Sequence, residues 1–243
     1  MRIPRFYFPD TLALGARVML PKEAAHHALR VLRMAEGDIV SLFNGDKHLY
    51  RAPILRIDKH GVVVLIESRN AQSCESSLSI LLVQGISSGE RMDYTLQKAV
   101  ELGVAAVQPI QAERSVVKLV GERREKRMQH WRNIVTAACE QCGRNTVPEV
   151  MSVSGLMEWL GAQAPEGQRI LLAPGADLRL REFSPPTGPM TLAVGPEGGF
   201  SDKEQTALLH YGFTPVSLGP RVLRTETAAL AALASLQALW GDY

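Results

Sequence analysis

Met190-Thr191-Leu192-Ala193-Val194-Gly195-Pro196-Glu197-Gly198-Gly199-Phe200-Ser201-Asp202-Lys203-Glu204 is the stretch on which the reading of this chain turns. Met190–Val194 is apolar without alternation, as suits a strand buried on both faces. Gly195–Phe200 interrupts it, and Ser201 stands at the N-cap position of a helix expected over Asp202–His210. An apolar strand, a glycine loop and a capped helix form half of a parallel α/β unit. Ligands of open α/β sheets bind at the carboxyl ends of the strands. Glycines at that point let backbone approach a ligand closely and adopt positive φ.

The same alternation extends to both sides. Leu78–Gln84, Ala106–Ile110, Arg169–Ala173 and Pro215–Leu218 read as strands, and Met92–Leu102, Glu122–Cys142, Leu156–Leu160 and Thr225–Trp240 as helices. A parallel sheet covered on both faces is the expectation. The preceding part differs. Phe6-Tyr7-Phe8, Ala16–Leu20, Asp38–Phe43, Leu49–Ile57 and Val62–Glu67 are short strand-like runs, separated by Pro9-Asp10, Asn44-Gly45-Asp46 and Lys59-His60-Gly61. Asn44-Gly45 signals a hairpin, and one helix is expected over Lys22–Leu32 behind Pro21. Several short strands suggest a small β-barrel. Ser68–Ser77 is polar and aperiodic and reads as a linker, so the domains are expected at 1–72 and 73–243.

Composition sets the class. Apolar residues make up 46% of the 243, charged residues 21%, and no apolar run approaches the ~20 residues of a membrane span. Met1–Asp10 lacks the apolar core of a signal peptide, and a cytoplasmic protein is expected. Three cysteines are too few for a disulfide framework, and Cys139-x-x-Cys142 lacks the second ligand pair that zinc requires. His26 and His27 are adjacent and point in different helix directions, so no metal is expected. The net charge of +2 hides an asymmetry: residues 1–72 hold 11 Lys/Arg against 7 Asp/Glu. A second basic cluster holds Arg114, Lys118, Arg123, Arg124, Lys126, Arg127 and Arg132. Such patches attract phosphate backbones, although most charge runs are solvated helix faces.

The Gly195–Phe200 loop is neither a P-loop nor a dinucleotide fingerprint, and it carries no basic residue for a phosphate. It suits a ligand held by backbone hydrogen bonds and apolar contacts. A second loop, Leu218-Gly219-Pro220-Arg221-Val222-Leu223-Arg224-Thr225-Glu226-Thr227-Ala228, also follows a strand. Thr225 or Thr227 can cap the last helix, but capping does not account for Arg224 beside Glu226. In Cys139-Glu140-Gln141-Cys142-Gly143-Arg144, Gly143 ends a helix, and Arg144 either favours that helix end or holds a phosphate or base.

Together with Gln97–Val104 and Glu113-Arg114-Ser115, these segments resemble, in order and spacing, the 16S ribosomal RNA uridine-N3 methyltransferases known as RsmE. Pro4-Arg5-Phe6-Tyr7 is similar to that family's opening. Val100 and Cys142 depart from the residues common there, Thr and Ser. The resemblance implies a PUA-like RNA-binding β-barrel and a SPOUT domain whose C-terminal segment forms a trefoil knot. It implies S-adenosyl-L-methionine as cofactor, held by Leu172, Ala173, Gly195, Pro196, Glu197, Gly198, Gly199, Leu218, Gly219, Leu223, Thr225 and Thr227. Arg224 and Arg144 become candidates to stabilise a deprotonated uridine, and Glu226 or Glu197 to accept its proton. Arg5, Arg114, Arg123 and Arg124 become candidate RNA ligands. The implied partner is 16S ribosomal RNA in the small ribosomal subunit, and the implied working unit is a homodimer joined through the apolar final helix.

Overall fold

β12 (Met190–Val194) has all five residues buried, and the C-terminal sheet is assembled around it. In the computed structural model, which describes residues 3–71, 73–162 and 167–243, the chain divides into two compact units. One comprises Met1–Glu75 with Cys139–Val147, the other Ser76–Ala138 with Pro148–Tyr243.

The first unit contains β1 (Arg5–Tyr7), β2 (Arg17–Met19), β3 (Ile39–Phe43), β4 (His48–Asp58), β5 (Gly61–Leu65) and β6 (Ser68–Ala71). They pair in the order β1-β3-β4-β5-β2, with β6 also on β4. The first half of β4 pairs with β3 and β6 and the second half with β5, with a register shift between Ile54 and Arg56. Such an irregularity bends a strand and lets it serve two neighbours. Alternate residues Tyr50, Ala52 and Ile54 of β4 and Val62 and Val64 of β5 point inward, and Ala24, Ala25 and Ala28 pack on the same core. The expected hairpin forms at residues 44–47, with Gly45 at φ +95°.

Two expectations are corrected here. The helix expected over Lys22–Leu32 is α-helical only over α1 (Lys22–His26) and continues as a π-turn, His27–Val31. Ser68–Ala71, read as linker, is an edge strand whose residues Ser68, Arg69, Asn70 and Ala71 pair antiparallel with β4. Its side chains are largely exposed, so its pairing rests on main-chain hydrogen bonds and leaves no hydrophobic period to read. Gln72, at the expected boundary, lies outside the described residues.

The second unit contains β7 (Ile80–Gly85), β8 (Ala106–Gln111), β9 (Glu149–Val150), β10 (Ser154–Gly155), β11 (Gln168–Leu172), β12 and β13 (Thr214–Val216). Their order is β10-β8-β7-β12-β11-β13, with β9 also on β8, and every pairing is parallel. The helices are α2 (Arg91–Glu101), α3 (Gly121–Cys142, whose last turn from Cys139 belongs to the first unit), α4 (Leu156–Ala162), α5 (Asp202–His210) and α6 (Thr225–Trp240). Met92, Leu96 and Ala99 put one apolar stripe of α2 inside, and Ala229, Ala232, Leu233 and Leu236 do so for α6, which packs against α2. Met128, Trp131, Val135 and Ala138 form the buried stripe of α3, and Arg123 and Arg124 stand exposed near its start. Trp131 Nε1 donates to Asp93 Oδ1 at 3.1 Å, so this helix face is held by a polar contact as well as by packing. No helix of the described residues is long and apolar enough to cross a membrane.

Candidate functional site

The carboxyl ends of β11, β12 and β13 open into a cleft of about 610 Å³. That lies within the range of small-molecule sites. Leu172, Ala173, Gly195, Pro196, Glu197, Gly198, Gly199, Leu218, Gly219, Leu223, Arg224, Thr225 and Glu226 all line it. Three separate stretches of sequence thus line one cleft. Thr227 is exposed and is not among the lining residues.

The loop after β12 closes mainly on itself. A Cβ on Gly195 would come within 2.9 Å of Gly199 Cα and Phe200 N, and Gly199 has φ +66°. A Cβ on Gly198 would meet Arg114 Cβ at 3.1 Å. These glycines therefore serve tight packing of the loop and its neighbour first; the space they leave is spent inside the wall of the cleft. Ser201 caps α5 as expected: its Oγ accepts from Glu204 N at 3.2 Å, and Glu204 Oε2 accepts from Ser201 N at 2.8 Å. The other Glu204 oxygen accepts from Glu113 N at 2.9 Å, which fixes the 113–115 turn against the loop. Arg114 then reaches the carbonyls of Gly198 (3.4 Å) and Phe200 (3.3 Å).

A fourth segment, missed in the sequence, completes this wall. Residues 85–91 connect β7 to α2. A Cβ on Gly85 would be driven into Pro196. Glu197 Oε1 accepts from Ser88 N (2.8 Å), Ser88 Oγ (2.7 Å) and Arg91 Nη1 (2.8 Å). Burial pushes the Glu197 carboxyl up, but the Ser88 N–H and hydroxyl, its own backbone N–H and Arg91 outweigh that and lower it to about 2. Arg91 also lines the cleft. The signal that could have found it is Gly85-Ile86-Ser87-Ser88-Gly89, a glycine-bounded break between strand and helix like the two already noted.

The opposite wall, residues 218–226, is held mainly at its end. Thr225 does not cap α6, as had been expected of it or of Thr227; Arg224 occupies the N-cap position without a side-chain cap bond. The buried Thr225 hydroxyl instead donates to Gly195 O at 2.6 Å and accepts from Gln84 Nε2 at 2.9 Å, so one side chain ties β7, the loop after β12 and α6 together. Beside it Glu226 is mostly buried. Its Oε1 lies 3.9 Å from Arg91 Nε, and its Oε2 is buried without a hydrogen-bond partner. Arg221, Val222 and Arg224 are exposed on the rim, Val222 at 81%.

Arg144 and Arg5 lie in the first unit. Arg144 is buried, with Nε and Nη2 on Glu75 Oε2 at 2.7 and 2.6 Å. Arg5 Nη2 donates to Arg144 O and to Asn145 Oδ1, both at 2.9 Å, and its guanidinium lies 5.0 Å from the centre of the Phe43 ring. Both arginines thus hold the 144–146 turn, to which Glu75 Oε1 adds bonds from Asn145 N and Thr146 N. In the CxxC, Cys139 is fully buried, and burial pushes its thiol up to about 12. That describes an inert core thiol. Among the described residues no three His, Cys, Asp or Glu side chains gather as a metal site.

Comparison with known proteins places this arrangement. An RNA methyltransferase domain model matches residues 74–237, and an RNA methyltransferase PUA domain model matches residues 20–67. Ribosomal RNA small subunit methyltransferase E of Buchnera aphidicola subsp. Schizaphis graminum is 36% identical over 99% of this chain and 98% of its own. The protein of that name from Bacillus subtilis is 31% identical over 88% and 87%. The crystal structure of ribosomal RNA small subunit methyltransferase E from Neisseria gonorrhoeae bound to S-adenosyl methionine superposes with a TM-score of 0.92 at 42% identity, covering all of both chains. A Legionella pneumophila protein in complex with the bound cofactor SAM superposes with a TM-score of 0.95 at 44% identity, again over both whole chains. Matched along its whole length by such relatives, this chain belongs to the ribosomal RNA small subunit methyltransferase E family of RNA methyltransferases.

Proposed function

We propose that this chain transfers a methyl group from S-adenosylmethionine to N3 of a specific uridine in 16S ribosomal RNA, in the assembled small ribosomal subunit in the cytoplasm. The observation that carries the reading is Glu226 Oε2, a buried acceptor with no donor, in the wall of a cleft at the ends of three parallel strands. A buried carboxylate oxygen is costly until a donor arrives.

The cleft fits S-adenosylmethionine. Leu172, Ala173, Val194, Val216 and Leu218 offer apolar walls for a flat ring, while the backbone of 195–199 and 218–224 offers hydrogen bonds. Glu197 and Glu226 supply negative charge for a sulfonium, and Arg91, Arg221 and Arg224 are at hand for a carboxylate. When bound, that cofactor supplies an electrophilic methyl group. The chain's own residues prepare the nucleophile. A uridine N3 attacks only after losing its proton; Glu226 Oε2 accepts it, and Arg224 balances the charge of the resulting imide anion. Glu197, the other acceptor considered, is held at about 2 by its donors and is too weak a base. Arg144, held by Glu75, is assigned a positioning part in ordering residues 144–146. Arg123 and Arg124 contact phosphates from the start of α3, and Arg5 and Arg114 act through the backbone they hold.

We also propose that residues 217–240 are threaded as a trefoil knot and that two copies pair through α6. The bonds from Thr225 to Gly195 and Gln84 support the first. Leu230, Leu239 and Trp240, outside the buried stripe of α6, support the second. The deciding experiment incubates small subunits from cells deleted for this gene with the protein and methyl-labelled cofactor, then maps the modified nucleoside. One 3-methyluridine in 16S RNA is expected. Label on another base, or equal turnover on a short naked strand, refutes the corresponding part, and a fully active monomer in sedimentation ends the dimer.

A further inference from the structure

Arg33 has φ +54°, one of two non-glycine residues among those described with positive φ. It follows the π-turn His27–Val31, where Leu32 N bonds to His27 O and Met34 N to Ala28 O, both at 3.0 Å. This is the helix-terminating position that glycine fills without strain. An arginine there carries strain that glycine would avoid, which points to a use for the side chain, since strained backbone and π-turns gather at functional sites.

What surrounds it identifies the use. Val31 is 63% and Leu32 41% exposed, side by side at the end of a helix in which Ala24, Ala25 and Ala28 are buried and Leu29 is half-buried. Arg30 and Arg33 flank them, both exposed, and neither has a carboxylate within ion-pair distance among the described residues. Elsewhere in the unit Arg51 and Arg56 are paired with Glu67 and Asp58. The acids that follow the turn are spent on backbone: Glu36 accepts from Ile57 N at 2.8 Å and Asp38 from Ala35 N at 2.7 Å. His26 and His27 are exposed on the same segment, with His27 edge-on to Phe6. The remaining acids near it are the exposed Glu23 in the first turn of α1 and the half-buried Glu140, close to His27.

We infer that the His27–Arg33 turn is the surface by which the first unit grips RNA: Arg30 and Arg33 take phosphates, and Val31, Leu32 and His27 lie against an unstacked base. Unpaired cations alone fit any anion, and exposed aliphatics alone fit any protein. Interleaved, they match a single-stranded or looped nucleic acid, which offers phosphates and base faces together. This rests on the proposed RNA substrate and assigns the grip to a turn, whereas Arg5 is occupied by the Arg144 carbonyl and the Asn145 side chain.

Arg33→Gly provides the test, because glycine suits the backbone while removing the cation. The variant is measured for thermal stability, for S-adenosylhomocysteine affinity, and for binding to gene-deleted small subunits and to a labelled uridine-rich single strand. Stability equal to or above wild type, unchanged cofactor affinity and roughly fivefold weaker RNA binding are expected. With Arg30→Ala added, the loss passes about tenfold, and the slope of log affinity against log salt on the single strand flattens by about 1.4. Val31→Ser weakens binding without changing that slope. RNA affinity and salt slope unchanged in a folded Arg30→Ala/Arg33→Gly protein overturn the assignment, while methylation by wild type leaves the enzymatic reading standing. A change in self-association without a change in RNA binding makes the turn a contact between copies and overturns it equally. Wild type that neither binds nor methylates RNA removes both.

Discussion

The two walls of the cleft both follow parallel strands and both contain glycine, yet they are held in opposite ways. The loop after β12 is braced from three directions: by Ser88 and Arg91 at Glu197, by Arg114 at its carbonyls, and by Thr225 at Gly195. The segment after β13 has its bonds at the two ends, Ser217 N to Leu178 O and Thr225 to Gly195, with an exposed rim between. Density of contact sets local stability, so the first wall presents fixed groups and the second can yield to admit a ligand. The same contrast separates the two glutamates. Glu197 has its donors already, whereas Glu226 has an oxygen that is buried without a hydrogen-bond partner, the feature on which its proposed role as base rests.

Glu226→Gln puts the sharpest pressure on that contrast. Methyl transfer should fall about 10²- to 10⁴-fold, the usual loss for a general base. Cofactor affinity should stay within a few-fold, and stability should change little: Oε2 has no hydrogen bond to lose, and the ion pair from Oε1 to Arg91 Nε is long, at 3.9 Å. Nearly normal kcat in this variant would move the base elsewhere. Next in size, Gly85→Ala should destabilise the protein by about 1–3 kcal/mol through overpacking and weaken S-adenosylhomocysteine binding in calorimetry. Gly219→Ala, in the looser wall, meets nothing within 4 Å and has only φ +126° against it. It should cost less, about 1 kcal/mol; the reverse order would break the distinction between walls.

Glu197 predicts a pH signature. Its carboxyl sits at about 2 in the folded protein against an ordinary 4.5. The depressed value means that its contribution is present above about pH 4.5 and is lost as pH falls toward 2. Partial exposure limits the effect to on the order of 1–2 kcal/mol. Urea midpoints for wild type should therefore decline over that window, and Glu197→Gln should show a shallower decline from a lower plateau. Identical slopes would mean that Ser88 and Arg91 do not hold the anion. Smallest of all, Val222→Ser on the open rim should change stability by no more than about 0.5 kcal/mol. Cofactor affinity should be unchanged, while KM for the RNA substrate rises a few-fold, because that side chain faces solvent where the second substrate must enter. A matching loss of cofactor affinity would place Val222 inside the cofactor's contacts.

Much of this was legible along the chain because it rests on local chemistry. The apolar run 190–194, the Ser201 cap and the Asn44-Gly45 turn depend on neighbours a few residues away, and each appears where its pattern put it. Ser68–Ala71 was misread because an edge strand uses main-chain bonds and carries no period. The end of the first helix was legible, but its change from α to π winding after His26 was not, because Ala28 and Leu29 continue an ordinary helical pattern. Arg91 escaped notice because on α2 it is one more charged residue.

The gathering of residues 172–173, 195–199 and 218–227 around one ligand was implied only by the family resemblance, while the sequence by itself determined the alternation of strands and helices in residues 78–240 and the two glycine loops at strand ends. Such patterns follow from backbone conformation and the periodicity of burial, which act over a few residues. Only the tertiary structure decided which charges remain available. Glu197 meets Ser88 and Arg91 across separations of 109 and 106 residues, and Arg5 meets Arg144 across 139. A side chain's donors and acceptors are satisfied by whatever the fold brings alongside, so whether a carboxylate or guanidinium is structural or free for chemistry is settled only after the chain has closed on itself.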